Sequence, residues 1–141
     1  MFDIVRAEVA EGVAGGSKSA TKALLWLFRF LDFTTRLLSS LCSDPAVEVG
    51  PAARGAYAAA LQPYHGWATS CIFTLVLSAA PYRSTFESAL LLPDAKHNFG
   101  EAEALRLFDL EAADFAQHFG PILERIHAFL QHEGQDDPTP V

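Results

Sequence analysis

Two long stretches of this chain repeat their apolar residues every three or four positions, and this spacing restricts the fold more than any other feature. Steps of three and four residues return to the same face of an α-helix. The longer stretch begins at Glu101 and keeps its phase across Gly120 and Pro121, so we predict one kinked helix there. Its apolar positions are Leu105, Phe108, Ala112, Phe115, Phe119, Ile122, Ile126 and Phe129.

The second stretch, Ala20–Cys42, predicts a helix with a broad apolar face and an opposite basic face. Ser17 or Ser19 can cap its N-terminus, because a serine hydroxyl accepts a hydrogen bond from a free backbone N–H. The apolar face consists of Leu24, Leu27, Phe28, Leu31, Leu38 and Leu41. The basic face consists of Lys18, Lys22, Arg29 and Arg36.

Shorter helical segments fill most of the remaining chain, and no segment alternates apolar and polar residues as a strand would. Ser84 and Glu87 have the spacing of a capping box at the start of one of them. After a loop at 93–100 and the long helix, the polar residues 133–141 are expected to form a flexible tail. The prediction is one all-α domain, residues 1–132, followed by that tail. The shorter helices are predicted at Phe2–Glu11, Ala52–Leu61, Tyr64–Ala80 and Ser84 to about Leu92.

The composition permits a sizeable core and argues against several classes of function. Half of the 141 residues are hydrophobic and 11 are phenylalanine, which can form either an ordinary core or the walls of a cavity for an apolar ligand. The net charge of −7 opposes broad nucleic-acid binding, which needs a basic face. The chain has no GxSxG, no HExxH, no glycine-rich phosphate loop and no paired carboxylates beside a base. We therefore expect no enzymatic activity and no cofactor.

Metal binding, a disulfide and a membrane span are not expected either. The spacing of His118, His127 and His132 does not favour a zinc site. Cys42 and Cys71 lack CxxC spacing and lie in apolar helical stretches, which predicts buried free thiols in a reducing compartment. The N-terminus is unlike a signal peptide, and the longest uncharged apolar stretch, 67–81, is shorter than the roughly 20 residues of a bilayer span. We therefore expect a cytosolic protein.

Two tryptophans and a histidine indicate a binding site. Trp26 lies beside Lys22 and Arg29 on the predicted helix, so it is either a core residue or a platform for a sugar ring whose hydroxyls the charged neighbours bond. His65 is either a structural residue or a hydrogen-bonding group inside an apolar ligand site. Trp67 would suit a membrane interface if it is exposed.

These positions fall in segments where the chain is similar to the glycolipid transfer protein family. The amphipathic segment after Glu101 also resembles the last long helix of that family. The resemblance implies a two-layer helical sandwich that takes up one sphingolipid, with the lipid chains in a slot between helices and the head group on a surface site. The other matching segments are 19–27, 56–57, 79–86 and Leu61-Gln62-Pro63-Tyr64-His65-Gly66-Trp67.

The resemblance also implies a role for individual residues. Trp26 matches the tryptophan on which the family stacks the first sugar, and we place Lys22 and Arg29 with it at the head group. His65 matches the histidine that hydrogen-bonds the ceramide amide, and Trp67 matches a tryptophan that touches the membrane transiently. We assign to the hydrophobic slot the residues Phe30, Phe33, Leu37, Phe73, Phe108 and Phe115.

The residue at position 26 distinguishes two branches of the family. Members that carry ceramide-1-phosphate have an arginine in place of this tryptophan and a second arginine one turn later. This chain has Trp26 and Phe30 at these places and so resembles the sugar-binding branch. Neither side chain can replace the charge-assisted hydrogen bonds that an arginine makes to phosphate.

The chain departs from the family pattern at its N-terminus. Members usually carry two further helices before the segment matched by Phe2–Glu11, and one of those helices bears an Asp-x-x-x-Asn-x-x-Lys pattern that this chain lacks. We therefore expect a fold without the first two helices, with apolar surface exposed or covered in a homodimer. Three functions stay open: an intermembrane glycosphingolipid carrier, a transfer-deficient remnant that acts as a lipid sensor or interaction module, and, less favoured, a ceramide-1-phosphate carrier.

Overall fold

A computed structural model describes residues 1–91 and 97–140, and the main elements of this part of the chain are α-helices. The all-α class is therefore confirmed. The predicted loop 93–100 overlaps residues 92–96, which lie outside the described residues. The elements are α1 (Phe2–Ala10), α2 (Ala20–Ser43), α3 (Val49–Ala60), a 3-10 turn (Gln62–Tyr64), α4 (Trp67–Ser78), α5 (Arg83–Leu90) and α6 (Glu101–His132).

The most extensive contacts between helices are made by α2, which packs against α6, α3 and α1. Its contact with α3 is close because the buried face of α3 carries alanines, whose small side chains let two helix backbones approach. Phe2 of α1 stacks on Phe129 of α6, with ring centroids 4.0 Å apart. The main core consists of Val5, Leu24, Leu25, Phe28, Leu123, Ile126, Phe129 and Leu130.

The start of α2 is held by two side chains. Ser19, one of the two predicted caps, accepts a hydrogen bond from the Lys22 N–H at 3.0 Å. The Glu8 carboxylate accepts the backbone N–H groups of Ala20 and Thr21, both at 2.8 Å, and the Thr21 hydroxyl at 2.6 Å. These bonds, chiefly that from the Thr21 hydroxyl, hold the pKa of Glu8 below its usual value. Glu8 thereby connects α1 to the first turn of α2.

The two faces of α2 differ from the prediction at two positions. Leu27, expected in the apolar face, is 52% exposed, and Arg29, expected in the basic face, is only 2% exposed. The reason is that α2 packs on two sides, with Leu24 and Phe28 in the main core beside α6 and Trp26 and Phe33 against the end of α3. Its buried surface is therefore wider than one apolar stripe and includes the position of Arg29 between the two contacts. Leu25, outside the predicted stripe, is accordingly buried.

The predicted capping box of α5 is wrong. Tyr82 is the N-cap residue and makes no side-chain cap, so Ser84 lies inside the first turn. Glu87 instead pairs with Arg83 at 2.5 Å. The Arg83 guanidinium also donates to the carbonyl oxygens of Leu41 and Asp44, both at 2.8 Å, near the end of α2. This arginine, and not a hydroxyl cap, fixes α5 to the α2–α3 connection.

The helix α6 continues through Gly120 and Pro121, as the phase of its apolar residues predicts. A proline lacks the N–H that would bond to the preceding turn, so packing must hold the helix together at this point. Phe119 packs against the main core before the proline, and Leu123 is buried in it just after. The main core therefore clamps α6 on both sides of Pro121.

The helix α4 leaves a large apolar surface open, since none of its residues is buried. Leu75 is 73% exposed, and Ile72 and Val76 are each more than 60% exposed. Cys71 is also exposed, so the prediction of buried thiols is wrong for it, whereas Cys42 is half-buried. Burial raises the pKa of the Cys42 thiol. Among the helices of the described residues, none combines the length and the apolar character that crossing a bilayer would require.

Candidate functional site around Trp26

Trp26 lies on α2, half-buried against the end of α3. The chain turns sharply there, because Pro63 sits in the 3-10 turn that follows α3 and brings His65 onto α2. The Trp26 and His65 rings stack, with centroids 5.8 Å apart and planes inclined by 19°. Two residues that the sequence predicted for one site are thus in contact.

His65 is held by Tyr57, a residue that the sequence pattern does not mark as part of a site. The Tyr57 hydroxyl lies 3.1 Å from His65 Nδ1, and the Phe73 ring centroid is 4.7 Å from that of His65. Burial lowers the pKa of His65, which keeps the ring neutral near pH 7. When the tyrosine donates to Nδ1, the imidazole proton is on Nε2, from which it can donate to a carbonyl oxygen. The only sequence signal for Tyr57 was its place in a segment that matches the family.

Arg29 is a buried cation beneath this site. Its guanidinium lies over the Tyr64 ring at 3.4 Å from the centroid and 5.3 Å from the centroid of Trp26. Its Nη2 donates to Asp136 Oδ1 at 3.2 Å and to the Asp137 carbonyl oxygen at 2.6 Å. Arg29 therefore supports the tryptophan through stacking and charge while being itself shielded from solvent.

The segment after α6 makes several contacts with the helices. Its Glu133 pairs with Arg6 of α1 at 3.2 Å. The Asp136 carboxylate, besides accepting from Arg29, lies 2.9 Å from His127 Nε2. Burial acts to raise the pKa of Asp136, but the hydrogen bonds from His127 and Arg29 outweigh it and lower the pKa. The boundary between domain and tail at 132/133 stays a prediction, although residues 133–137 already contact α1, α2 and α6.

A small crevice adjoins Trp26 where α2 meets this segment. It has a volume of about 50 Å³, which is room for only a few water molecules. Lys22, Trp26 and Arg29, the predicted head-group residues of α2, all line it. The other wall is formed by Asp137 and Thr139, which no periodic pattern could have placed there.

The residues assigned to the hydrophobic slot fall into separate groups. Phe33 and Phe73 pack, together with Trp26, against a cluster of Tyr57, Ala60 and Leu61. Leu37 packs against the neighbouring cluster of Leu41, Val49 and Ala52. Phe30 is 56% exposed, with its ring centroid 6.5 Å from that of Phe33. Phe108 and Phe115 are half-buried on α6, and Phe115 stacks on Phe119 at 4.4 Å.

Trp67 is exposed at the start of α4 and is not part of the packing around Trp26. It is the first residue of α4 and is 84% exposed. It borders an open groove of about 380 Å³ along α4 whose other walls include Cys71 and Leu75. Trp67 therefore shares one groove with Leu75 of the open α4 surface.

Residues 1–91 match the family model described as Glycolipid transfer protein. The chain belongs to the glycolipid transfer protein family. It is 33% identical over 137 residues to Glycolipid transfer protein 1 of Arabidopsis thaliana, a match that covers 97% of this chain and 62% of that protein. It is 37% identical over 94 residues to human Pleckstrin homology domain-containing family A member 8, covering 67% of this chain and 18% of the relative.

Solved structures confirm the glycolipid transfer protein fold. The chain matches FAPP2, in a structure described as showing how that protein selects simple glycosphingolipids using this fold. The TM-score is 0.90 at 27% identity, and the match covers 100% of this chain and 65% of that one. The chain spans between 53% and 62% of the length of three Arabidopsis glycolipid transfer proteins.

Proposed function

We propose that this chain binds one glycosphingolipid and transfers it between membranes, with the sugar stacked on Trp26. The contact that carries the proposal is the stack of Trp26 on His65, beside a crevice that Lys22 also lines. An indole face suits the C–H face of a sugar ring, and a neighbouring ammonium can donate to its hydroxyls. FAPP2, which has the same fold, is described as selecting simple glycosphingolipids.

The ceramide amide is assigned to His65. Its Nδ1 is engaged by the Tyr57 hydroxyl at 3.1 Å, so a neutral ring presents Nε2–H to the amide carbonyl. Phe33 and Phe73 border the same cluster and would contact the first part of the lipid chains. The site thus combines one stacking surface, one directional hydrogen bond and apolar walls, as small-molecule sites commonly do.

Transfer needs no chemical step in this proposal. A ceramide has on the order of 30 methylenes, and exposing each to water costs about 0.8 kcal/mol. Spontaneous escape from a bilayer is therefore very slow, and a protein that shields the chains removes most of that barrier. Net movement then follows the existing gradient without a cofactor or ATP.

The open face of α4 is the proposed membrane contact. Trp67 is 84% exposed and adjoins the apolar groove that contains Leu75. Tryptophan is favoured at the membrane–water interface, because its ring is apolar while its N–H can bond to water. In this proposal the protein resides in the cytosol and touches the bilayer transiently. A homodimer that covers the same face is the competing arrangement.

A lipid sensor that does not transfer is the second candidate. The observation in its favour is the size of the crevice beside Trp26, about 50 Å³, which does not hold a sugar ring as it stands. A sensor would bind lipid or adsorb to vesicles without moving lipid between them. Ceramide-1-phosphate carriage is opposed by Trp26 and Phe30, which occupy the places of the two phosphate-binding arginines.

A vesicle assay with fluorescent galactosylceramide tests the proposal and separates the two candidates. We expect transfer by the wild-type protein, a roughly tenfold lower rate for Trp26→Ala, and most of the rate for Trp26→Phe, which keeps an aromatic face. Circular dichroism should first establish that both variants are folded, because Trp26 packs against Tyr57 and Leu61. Binding without transfer supports the sensor, and equal transfer by Trp26→Ala and wild type rejects the sugar platform.

A further inference from the structure

Two carboxylates after α6 lie beside the two cations of the Trp26 site. Lys22 and Arg29 are four residues before and three residues after Trp26 on α2, so all three share one side of the helix. Asp136 pairs with Arg29 at 3.2 Å. Asp137 lines the crevice together with Lys22, and its carbonyl oxygen accepts from Arg29 at 2.6 Å. The surroundings of Trp26 thus contain two positive and two negative side chains.

We infer that Asp136 and Asp137 determine head-group specificity by making the site electrically neutral, so that it admits uncharged sugars and rejects anionic head groups. This inference rests on the proposed function of Trp26 as the sugar platform. It assigns the choice of ligand class to a segment outside the helices, about 110 residues from Trp26 in the sequence (136 − 26 = 110).

The charges explain why the acidic segment changes what can bind. Lys22 and Arg29 alone would form a cluster of charge +2 beside the indole, which would attract a phosphate or sulfate. With Asp136 and Asp137 in place the four charges cancel, and an incoming anion meets the Asp137 carboxylate in the lining of the same crevice. A sugar hydroxyl, in contrast, can donate a hydrogen bond to a carboxylate.

Both carboxylates stay ionised in the folded protein. Asp136 is anchored on two sides, since its Oδ1 accepts from Arg29 and its Oδ2 lies 2.9 Å from His127 Nε2. Hydrogen bonds from Thr139 are the main reason that the pKa of Asp137 is below its usual value, and Lys22 and Arg29 lower it further. The neutral state of the site is therefore maintained across the physiological pH range.

The two aspartates differ in how firmly they are held. Asp137 is exposed, and Asp137 and Thr139 form the outer wall of a crevice of about 50 Å³. A sugar ring is several times larger than the ~30 Å³ that one water molecule occupies, so it enters only when this wall moves outward. Asp136, bound to Arg29 and His127, stays beneath the ligand and keeps Arg29 neutralised.

The test compares how the full chain binds short-chain galactosylceramide and short-chain ceramide-1-phosphate, each presented in phosphatidylcholine vesicles at low ionic strength. We expect the double variant Asp136→Asn/Asp137→Asn to shift the ratio of affinities roughly tenfold toward the phosphorylated lipid. Asp137→Asn alone should shift it by a smaller factor. High salt should reduce both shifts, because screening weakens interactions between exposed charges.

The matched control removes two carboxylates elsewhere on the same chain. Glu111→Gln/Asp114→Asn changes the net charge equally, and both residues are exposed on α6. They precede His127 by 16 and 13 residues (127 − 111 and 127 − 114), or roughly 24 and 20 Å along the helix at 1.5 Å per residue. The control should leave the ratio of affinities unchanged.

The results separate failure of the inference from failure of the proposed function. If galactosylceramide binding depends on Trp26 but the aspartate variants keep the wild-type ratio, the specificity role is rejected and the sugar platform stands. If galactosylceramide binding is unaffected by Trp26→Ala, the platform itself is rejected. Should the double variant lose its cooperative thermal transition, because Arg29 is then buried without a counter-charge, Asp137→Asn alone decides the question.

Discussion

The ion pair between Arg29 and Asp136 makes a strong prediction about stability. The Arg29 side chain is 2% exposed and the Asp136 side chain 19% exposed, so solvent screens this pair weakly. Replacing Asp136 by alanine removes the partner of a buried cation and also the contact with His127. Breaking a buried pair from one side typically costs about 3–5 kcal/mol, because one charge is left without compensation.

We expect Asp136→Ala to lower the free energy of unfolding by about 3 kcal/mol, the lower end of that range, because Asp136 is partly exposed. A loss of this size is a large share of the roughly 5–15 kcal/mol that stabilises a typical domain. It should lower the melting temperature by about 10 °C in a domain of this length.

Urea unfolding followed by circular dichroism at 222 nm measures this loss, through a lower midpoint at an unchanged slope. Asp137→Ala is the matched control, since Arg29 bonds to the Asp137 backbone carbonyl and that bond survives the substitution. Its cost should stay below about 0.5 kcal/mol, as at most surface sites. A loss under 1 kcal/mol for Asp136→Ala, or equal losses for both variants, would refute the proposed anchoring of this segment.

Three further predictions concern acid, the core and the membrane. The pKa of Asp136 is lowered in the folded protein, so its stabilising effect is present above pH ~4 and is lost as the pH falls through the folded pKa. The free energy of unfolding of Asp136→Ala should therefore fall less steeply with acid than that of wild type. Leu130→Ala should cost about 2–5 kcal/mol in urea unfolding, since Leu130 is 0% exposed; a loss under 1 kcal/mol contradicts its place in the core. Trp67→Ser should weaken sedimentation with phosphatidylcholine vesicles several-fold, whereas His118→Ser, also exposed, should not.

The helices could be predicted from the sequence because their pattern is local. The apolar spacing of 101–132 located α6 and its continuity through Pro121, and the apolar spacing of α2 located that helix to within one residue at its C-terminal end. The same apolar spacing predicted a buried Leu27 and an exposed Arg29, and both predictions are wrong. A periodic pattern treats every arginine as a surface residue, whereas the burial of Arg29 depends on Tyr64 and Asp136, which lie 35 and 107 residues further along the chain (64 − 29 and 136 − 29).

The candidate site was predictable only in part, for the same physical reason. Trp26 and His65 were singled out by residue type and by resemblance, and the structure brings their rings together. Tyr57 is a single tyrosine in an alanine-rich helix, and nothing local indicates that it bonds to His65. Asp137 belongs to a polar segment without periodicity, so only the folded chain reveals that it borders the crevice beside Trp26.

Pro121 divides α6 into two parts that differ in how many core residues they supply. The C-terminal part supplies four members of the main core, whereas the part before the proline buries only Ala104 and Ala112. A proline cannot donate a hydrogen bond to the carbonyl four residues earlier, here that of Gln117. The helix therefore lacks one backbone hydrogen bond at the point where its heavily buried part begins. The part before Pro121, which contains Phe108 and Phe115, is therefore held by fewer buried residues than the part after it, and amide hydrogen exchange should be faster before Pro121 than after it.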